Sequence, residues 1–298
     1  VKLSKKHDAI EALEGGLIVS CQASQGEPLA HPEHILALSL TVLMGGACAL
    51  RLEGVENVEV VRKSTKVPII GLTKIHGLNT VEMLQQVYIT ATFEDAAALA
   101  AAGADIIALD ATGRPRKDGM PLDKTIDRIH FELNKPVWAD CATKEDGIAA
   151  WKAGADIIST TLYGYTQETL TDDDSPGFEL LRDLIETVKV PVILEGRIWH
   201  PDEVTSAFDL GAFAVVVGSA ITRPHYITKR FVEAINDSGF DDDVTIRNTS
   251  TAGTSGDTEL RSTSGDTEER GTSGDTELRS TPGDTVEPGA GSVSGAQA

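Results

Sequence analysis

A lysine and a glutamate, each at the end of a short apolar run, are the residues of this chain best suited to move a proton at carbon. Lys74 follows Pro68-Ile69-Ile70-Gly71-Leu72-Thr73, and Glu195 closes Pro191-Val192-Ile193-Leu194. An amine in a partly dry pocket loses some of its preference for the charged form, so it can act as a general base or a Schiff-base nucleophile. A carboxyl on a different strand is a natural acid/base partner. The plainer structural expectation is a resting ion pair of Lys74 with Glu195 or Asp110. Other apolar runs end in chemically useful residues too: Gln22, Arg51, Asp110, Asp140 and Thr160-Thr161. Any one of these reads as a rim salt bridge; a full ring of them reads as a site. The last two ends carry small-residue turns, Glu195-Gly196-Arg197 and Val217-Gly218-Ser219-Ala220-Ile221-Thr222-Arg223. Backbone N–H groups at Gly196, Gly218 and Ser219 could cradle a phosphate, with Arg197 and Arg223 adding charge-assisted hydrogen bonds. The alternative for both glycines is a tight turn and nothing more.

The elements that must position these groups are written in two alternating phrases. Ala101-Ala102-Gly103-Ala104-Asp105-Ile106-Ile107 recurs as Lys152-Ala153-Gly154-Ala155-Asp156-Ile157-Ile158, with looser copies at 209–215 and 45–50. Between them stand Lys66-Val67-Pro68-Ile69-Ile70, Asn134-Lys135-Pro136-Val137-Trp138 and Lys189-Val190-Pro191-Val192-Ile193. Each phrase closes a helix-like stretch and leads into a strand, the Gly-Ala phrase into even strands and the Lys-x-Pro phrase into odd ones. Eight apolar runs follow: 16–21, 47–52, 68–73, 105–110, 136–140, 156–161, 191–195 and 212–218. They lack strict period-two alternation, as strands buried on both faces of a parallel sheet do. Helices are predicted at 93–102 and 143–153, capped by Thr92 and Thr143, and at 201–210, with Pro201 in the first turn and Gly211 beyond the end. Eight strand–helix units predict an α/β protein, a (β/α)8 TIM barrel over residues 1–240, whose chemistry sits at the C-terminal strand ends. A doubly wound open sheet is the rival; it explains eight alternating units less well.

Residues 241–298 differ in character. A nine-residue phrase, Thr254-Ser255-Gly256-Asp257-Thr258-Glu259-Leu260-Arg261-Ser262, restarts at Thr263, Thr272 and Thr281, and no aromatic residue follows Phe240. So little apolar area cannot offset the entropy of ordering, and an acidic, low-complexity, disordered tail is expected. A calcium-binding β-solenoid also repeats every nine residues, but its glycine-rich pattern is missing here.

Composition narrows the function. The chain has 298 residues and a net charge of −20, without the basic footprint that nucleic-acid binding needs. It has no apolar run of transmembrane length, and its N-terminus does not read as a signal peptide. Cys21, Cys48 and Cys141 show no CxxC spacing and are expected to be buried free thiols in a reducing compartment. The seven histidines show no HxH or HExxH pattern, so no catalytic metal is expected. His31, His34, His200 and His225 are expected in solvated loops. The resulting picture has no membrane or nucleic-acid partner, a cytoplasmic location and a small-molecule substrate.

Several of these strings together resemble the N-acetylmannosamine-6-phosphate 2-epimerase family. They are Gly15-Gly16-Leu17-Ile18-Val19-Ser20-Cys21-Gln22, Pro68 to Lys74, Ile107-Ala108-Leu109-Asp110-Ala111-Thr112, Ser159-Thr160-Thr161-Leu162-Tyr163-Gly164-Tyr165-Thr166, Glu195-Gly196-Arg197 and Val217 to Pro224. The resemblance runs from about residue 14 to 231 and leaves out the tail. It implies inversion at carbon 2 of N-acetylmannosamine 6-phosphate, giving N-acetylglucosamine 6-phosphate, in sialic acid and amino-sugar breakdown. It implies Lys74 and Glu195 as catalytic residues and Gln22, Arg51, Asp110, Asp140 and Arg223 as substrate contacts. Gly196, Arg197, Gly218 and Ser219 fall around the phosphate, no cofactor is implied, and a homo-oligomer is. Three positions depart from the family pattern: Ile75 follows the lysine where a basic residue is usual, Tyr163 replaces Ser, and Ala91 replaces Pro. Rival readings are a metal-dependent pentose-phosphate epimerase, a Schiff-base aldolase using Lys74, and a non-catalytic sugar-phosphate binder.

Overall fold

The computed structural model describes residues 4–237; the tail expected over 241–298 lies outside the described residues. Eight strands form the barrel: β1 (Leu17–Cys21), β2 (Ala49–Glu53), β3 (Ile69–Leu72), β4 (Ile106–Asp110), β5 (Val137–Asp140), β6 (Ile157–Ser159), β7 (Val192–Glu195) and β8 (Ala214–Val217). All pairings are parallel and follow chain order. The ring closes where Leu17, Ile18 and Val19 pair with Val215, Val216 and Val217. The open-sheet rival is excluded by that closure. Seven strands lie inside the predicted runs; β2 continues one residue further, to Glu53, which matters for the site.

The helices form where composition and caps agree. The alanine-rich helix Phe93–Ala102 begins at a reciprocal capping box between Thr92 and Asp95. Thr143 and Asp146 make the same box at the start of Lys144–Lys152. Each box satisfies two backbone N–H groups that have no partner inside their own helix.

The repeated Gly-Ala-Asp phrase has a two-part physical cause. Gly46, Gly103, Gly154 and Gly211 all hold positive φ, between 96° and 106°, where the chain leaves a helix through a left-handed turn that a Cβ disfavours. At Gly103 a Cβ would also lie 2.6 Å from Arg62 Cγ. The aspartates that follow tie neighbouring strands together. Asp105 accepts from the Ile69 N–H at 3.0 Å and from Arg62 Nη1 at 2.6 Å. Asp156 does the same for the Val137 N–H at 2.7 Å. The phrase leading into an even strand thus pins the first residue of the preceding odd strand, just past its proline, and this is why the two phrases alternate.

Burial on both strand faces follows from two apolar layers. Ile18, Ala49, Ile70, Ile106, Trp138 and Ile193 fill the barrel. Val19, Leu50, Ile69, Ile107, Val137 and Leu194 pack outward with Ile35, Val58, Leu99 and Leu184 of the helices. All three cysteines are free thiols; Cys21 and Cys141 are buried as expected, but Cys48 is only half-buried, because it stands at the barrel's lower rim just before β2. His31, His34, His200 and His225 are exposed, though not on loops. His34 and His225 lie within helices, and His31 and His200 stand at helix N-termini. Among the described residues no helix is long and apolar enough to cross a membrane.

Candidate active site

Alternate residues near the C-terminal strand ends point into the barrel, as the pleat requires. Ser20 and Gln22, Arg51 and Glu53, Trp138 and Asp140, Ser159 and Thr161, and Glu195 therefore share one interior. Two clusters form there.

The deeper cluster centres on Arg51, which is 1% exposed. Its Nη2 lies 2.7 Å from Asp140 and its Nε 3.1 Å from Glu195. Burial opposes the guanidinium charge, but the two carboxylates more than offset that and hold Arg51 above its ordinary range. Its face lies over the Trp138 ring, 5.4 Å from the centroid. Arg51 Nη1 is buried and makes no hydrogen bond among the described residues. Asp140 is fully buried and accepts from Trp138 Nε1, Ser159 Oγ and Thr161 Oγ1. Thr161 also reaches Glu195 Oε2 at 3.0 Å, and the Glu195 N–H donates to Thr160 Oγ1. Glu195 is pushed up to about 7. Burial is the main cause; the Arg51 charge opposes it and the Asp140 charge adds to it. A carboxyl poised near neutrality can both accept and donate a proton in turnover.

The second cluster holds the lysine. Lys74 Nζ donates to Gln22 Oε1 at 2.7 Å and lies 3.2 Å from Glu53 Oε2. Gln22 is itself oriented by its Nε2 donating to Ser20 Oγ. The backbone is fixed as well: residues 73–75 pair antiparallel with 88–90 through Ile75 N to Tyr88 O and Thr90 N to Thr73 O. The resting partner of Lys74 is therefore Glu53, not Glu195 or Asp110. Arg51 occupies Glu195, and Asp110 is committed elsewhere. One oxygen of Asp110 accepts from Thr112 N and Oγ1, and the other from Arg114 Nη2 at 2.6 Å. Arg116 in turn donates to the Asp110 carbonyl. Burial raises the Asp110 carboxyl, and the Arg114 charge works against that. In this arrangement Asp110 clasps the loop after β4.

The loops after β7 and β8 carry the expected phosphate residues. Gly196 and Arg197 both have positive φ, 109° and 60°, which turns the chain sharply at the strand end. Arg197 Nη1 donates to the Asp173 carbonyl at 2.5 Å, and its guanidinium lies between the Tyr163 and Tyr165 rings, 5.9 and 5.4 Å from their centroids. Ser219 begins the short helix Ser219–Thr222. Gly218 packs on Ser20, where a Cβ would meet Ser20 Cβ at 3.4 Å. Thr222 Oγ1 donates to the Ser20 carbonyl at 2.9 Å, so the helix after β8 is tied to strand β1. Arg223 pairs with Glu27 from the β1 loop.

Residues 35–237 match the family described as "Putative N-acetylmannosamine-6-phosphate epimerase". The chain belongs to the N-acetylmannosamine-6-phosphate epimerase family. A relative from Cutibacterium acnes carrying the 2-epimerase name is 45% identical over 228 residues, 76% of this chain and 96% of its own. One from Thermosynechococcus vestitus is 47% identical over 223 residues, 75% and 94% of the two chains. The solved N-acetylmannosamine-6-phosphate 2-epimerase from Clostridium perfringens superposes with a TM-score of 0.71 at 42% identity, covering 76% of this chain and 95% of that one. This chain is thus an isomerase of the epimerase type.

Beside the anticipated residues, Thr161 among them, the epimerase barrel adds Glu53, His76, Arg114, Trp138 and Ser159 to the site's surroundings. The first of these had a signal: Glu53 lies two positions beyond Arg51, so a strand carried one residue further puts it on the same face. Thr161 stands in the predicted run of β6 and is the hydroxyl that joins Asp140 to Glu195.

Proposed function

We propose that this chain interconverts N-acetylmannosamine 6-phosphate and N-acetylglucosamine 6-phosphate at the barrel mouth, with Lys74 as the base that removes and returns the carbon-2 proton. The observation that carries the reading is the pairing of two proton-handling groups with a buried donor. Lys74 is held between Gln22 and Glu53, Glu195 is poised near neutrality, and Arg51, 3.1 Å from Glu195, keeps a buried Nη1 that makes no hydrogen bond among the described residues. Carbon 2 is acidic only when carbon 1 is an aldehyde, so the sugar ring opens first. Removal of the proton leaves an enolate, and Arg51 stabilises the charge developing on its oxygen. Asp140 holds Arg51 in place and Glu195 serves as the acid/base partner; the planar enolate turns about its C2–C3 bond to offer its opposite face to Lys74, and the proton returned there inverts the centre. No redox change occurs.

The phosphate is assigned to Gly196, Arg197, Gly218, Ser219 and Arg223. A phosphate dianion is a stronger acceptor than the carbonyl that Arg197 now meets, and it can compete with Glu27 for Arg223. Gln22 faces the sugar beside Lys74, and Asp110 contributes by fixing Arg114 and the β4 loop. A sugar-phosphate substrate and three free thiols support a cytoplasmic setting. Proton NMR in heavy water tests the activity. The carbon-2 proton signal of N-acetylmannosamine 6-phosphate disappears as the epimer appears; a signal that persists alongside enzyme defeats the reading.

A homo-oligomer completes the proposal. The helix Pro224–Asp237 has no buried residue, and it leaves Tyr226, Phe231 and Val232 exposed, Phe231 by 71%. Apolar exposure on that scale supports an interface. Light scattering on the purified chain is expected to give a multiple of 31.6 kDa; the single-chain mass refutes it.

A further inference from the structure

Lys74 must lose and regain protons, and the neighbouring side chains outline where they go. Glu53 sits between two nitrogen groups: its Oε2 is 3.2 Å from Lys74 Nζ and its Oε1 is 3.0 Å from His76 Nε2. Exposure is graded along this line. The Glu53 side chain is 9% exposed, whereas that of His76 is 55% exposed. The carboxylate is thus nearly sealed and the imidazole beyond it is open to water. Lys74 itself is 32% exposed, on the mouth where a sugar phosphate would seat and displace water. The other neighbour of the amine, the Gln22 amide oxygen, cannot carry a proton away.

We propose that Glu53 and His76 form the route by which the amine of Lys74 exchanges protons with solvent. The inference rests on Lys74 being the base. An N–H bond of the Lys74 ammonium breaks as an O–H bond forms on Glu53 Oε2, leaving a neutral amine. The carboxyl turns and passes that proton to Nε2 of the neutral imidazole, and the imidazolium releases its Nδ1 proton to water. Glu53 ends as it began and His76 ends as its Nε2–H tautomer, which the reverse path or exchange with water resets; the net change is one proton moved from Lys74 to solvent. The reverse path reloads the amine. Both residues are positioning groups: they act on the substrate only through Lys74.

The consequence is a partition. When the amine has taken the carbon-2 hydrogen, that hydrogen either returns to the sugar or leaves along the relay. The experiment uses protiated N-acetylmannosamine 6-phosphate in heavy water and reads, at early conversion, the fraction of epimer that keeps the original carbon-2 hydrogen. In His76→Asn and in Glu53→Gln that fraction rises at least threefold over the unmodified chain. Added imidazole brings the His76→Asn value back down. An unchanged fraction in either folded variant overturns the relay, and so does a rise that imidazole leaves untouched, because mere displacement of Lys74 would not respond to a mobile base. The underlying assignment is tested apart from this: if Lys74→Ala still epimerises, Lys74 is not the base, whatever the partition shows.

Discussion

Lys74→Ala lowers kcat/KM for carbon-2 epimerisation by at least about 10³-fold, within the range expected for removing a positioned general base. Two features make the effect large. Among the described residues no other amine is paired with the amide of Gln22 and the carboxylate of Glu53, so none is in place to substitute. On the proposed assignment the base also acts twice per turnover, in removing the proton and in returning it. The fold should tolerate the change. Lys74 is one-third exposed and belongs to neither apolar layer, so stability moves by no more than about 1 kcal/mol. Lys74→Arg separates charge from base. It keeps a cation against Glu53, but a guanidinium does not deprotonate at neutral pH, so this variant stays as inactive as the alanine one. Circular dichroism and the heavy-water proton exchange check both; an arginine variant with near-native exchange would mean that Lys74 contributes only charge.

Glu195→Gln has the second largest effect, a loss of about 10²- to 10³-fold in kcat/KM, as expected for an acid/base partner. Its pH signature is specific. Because burial pushes Glu195 up to about 7, lowering the pH through neutrality protonates it. A protonated Glu195 can no longer accept a proton as the acid/base partner, so kcat/KM falls on the acid side of about 7. Carbon-13 NMR of labelled glutamate reads the same event directly: one carboxyl signal titrating near 7 is missing from the Glu195→Gln spectrum. Stability follows with a definite sign. A carboxyl whose folded value is raised above 4.5 contributes stability fully below 4.5 and loses it as pH rises through about 7. Relative to the native chain, Glu195→Gln therefore gains as pH rises across that window, by roughly 2–3 kcal/mol in total. Urea unfolding at pH 5 and pH 8 measures it. A difference that does not change with pH would show that Glu195 titrates at its ordinary value in the fold.

These two residues also show how far a linear reading reaches. The strand ends that carry Lys74 and Glu195 were legible because a buried parallel strand writes itself as a short apolar run, and the first polar residue after it marks the mouth. The family strings around them were legible for the same reason. The helix at Phe93–Ala102 was legible from its Thr92 cap and its alanines. What stayed hidden was partnership. Lys74 was expected to meet Glu195 or Asp110 but meets Glu53. Asp110, placed among the substrate contacts, spends its oxygens on Thr112 and Arg114.

The amino-acid order by itself determined the eight-unit barrel, the edge where its chemistry lies and the residue types available there, because hydrophobic period, caps and turn glycines act over a few neighbouring residues. Only the closed barrel decided who touches whom. Closure tilts the strands and staggers their ends, so residues at equal distances from their own strand ends reach different heights in the interior. That stagger brings Arg51 onto Asp140 and Glu195, 89 residues and more away along the chain, and leaves Lys74 to Gln22 and Glu53.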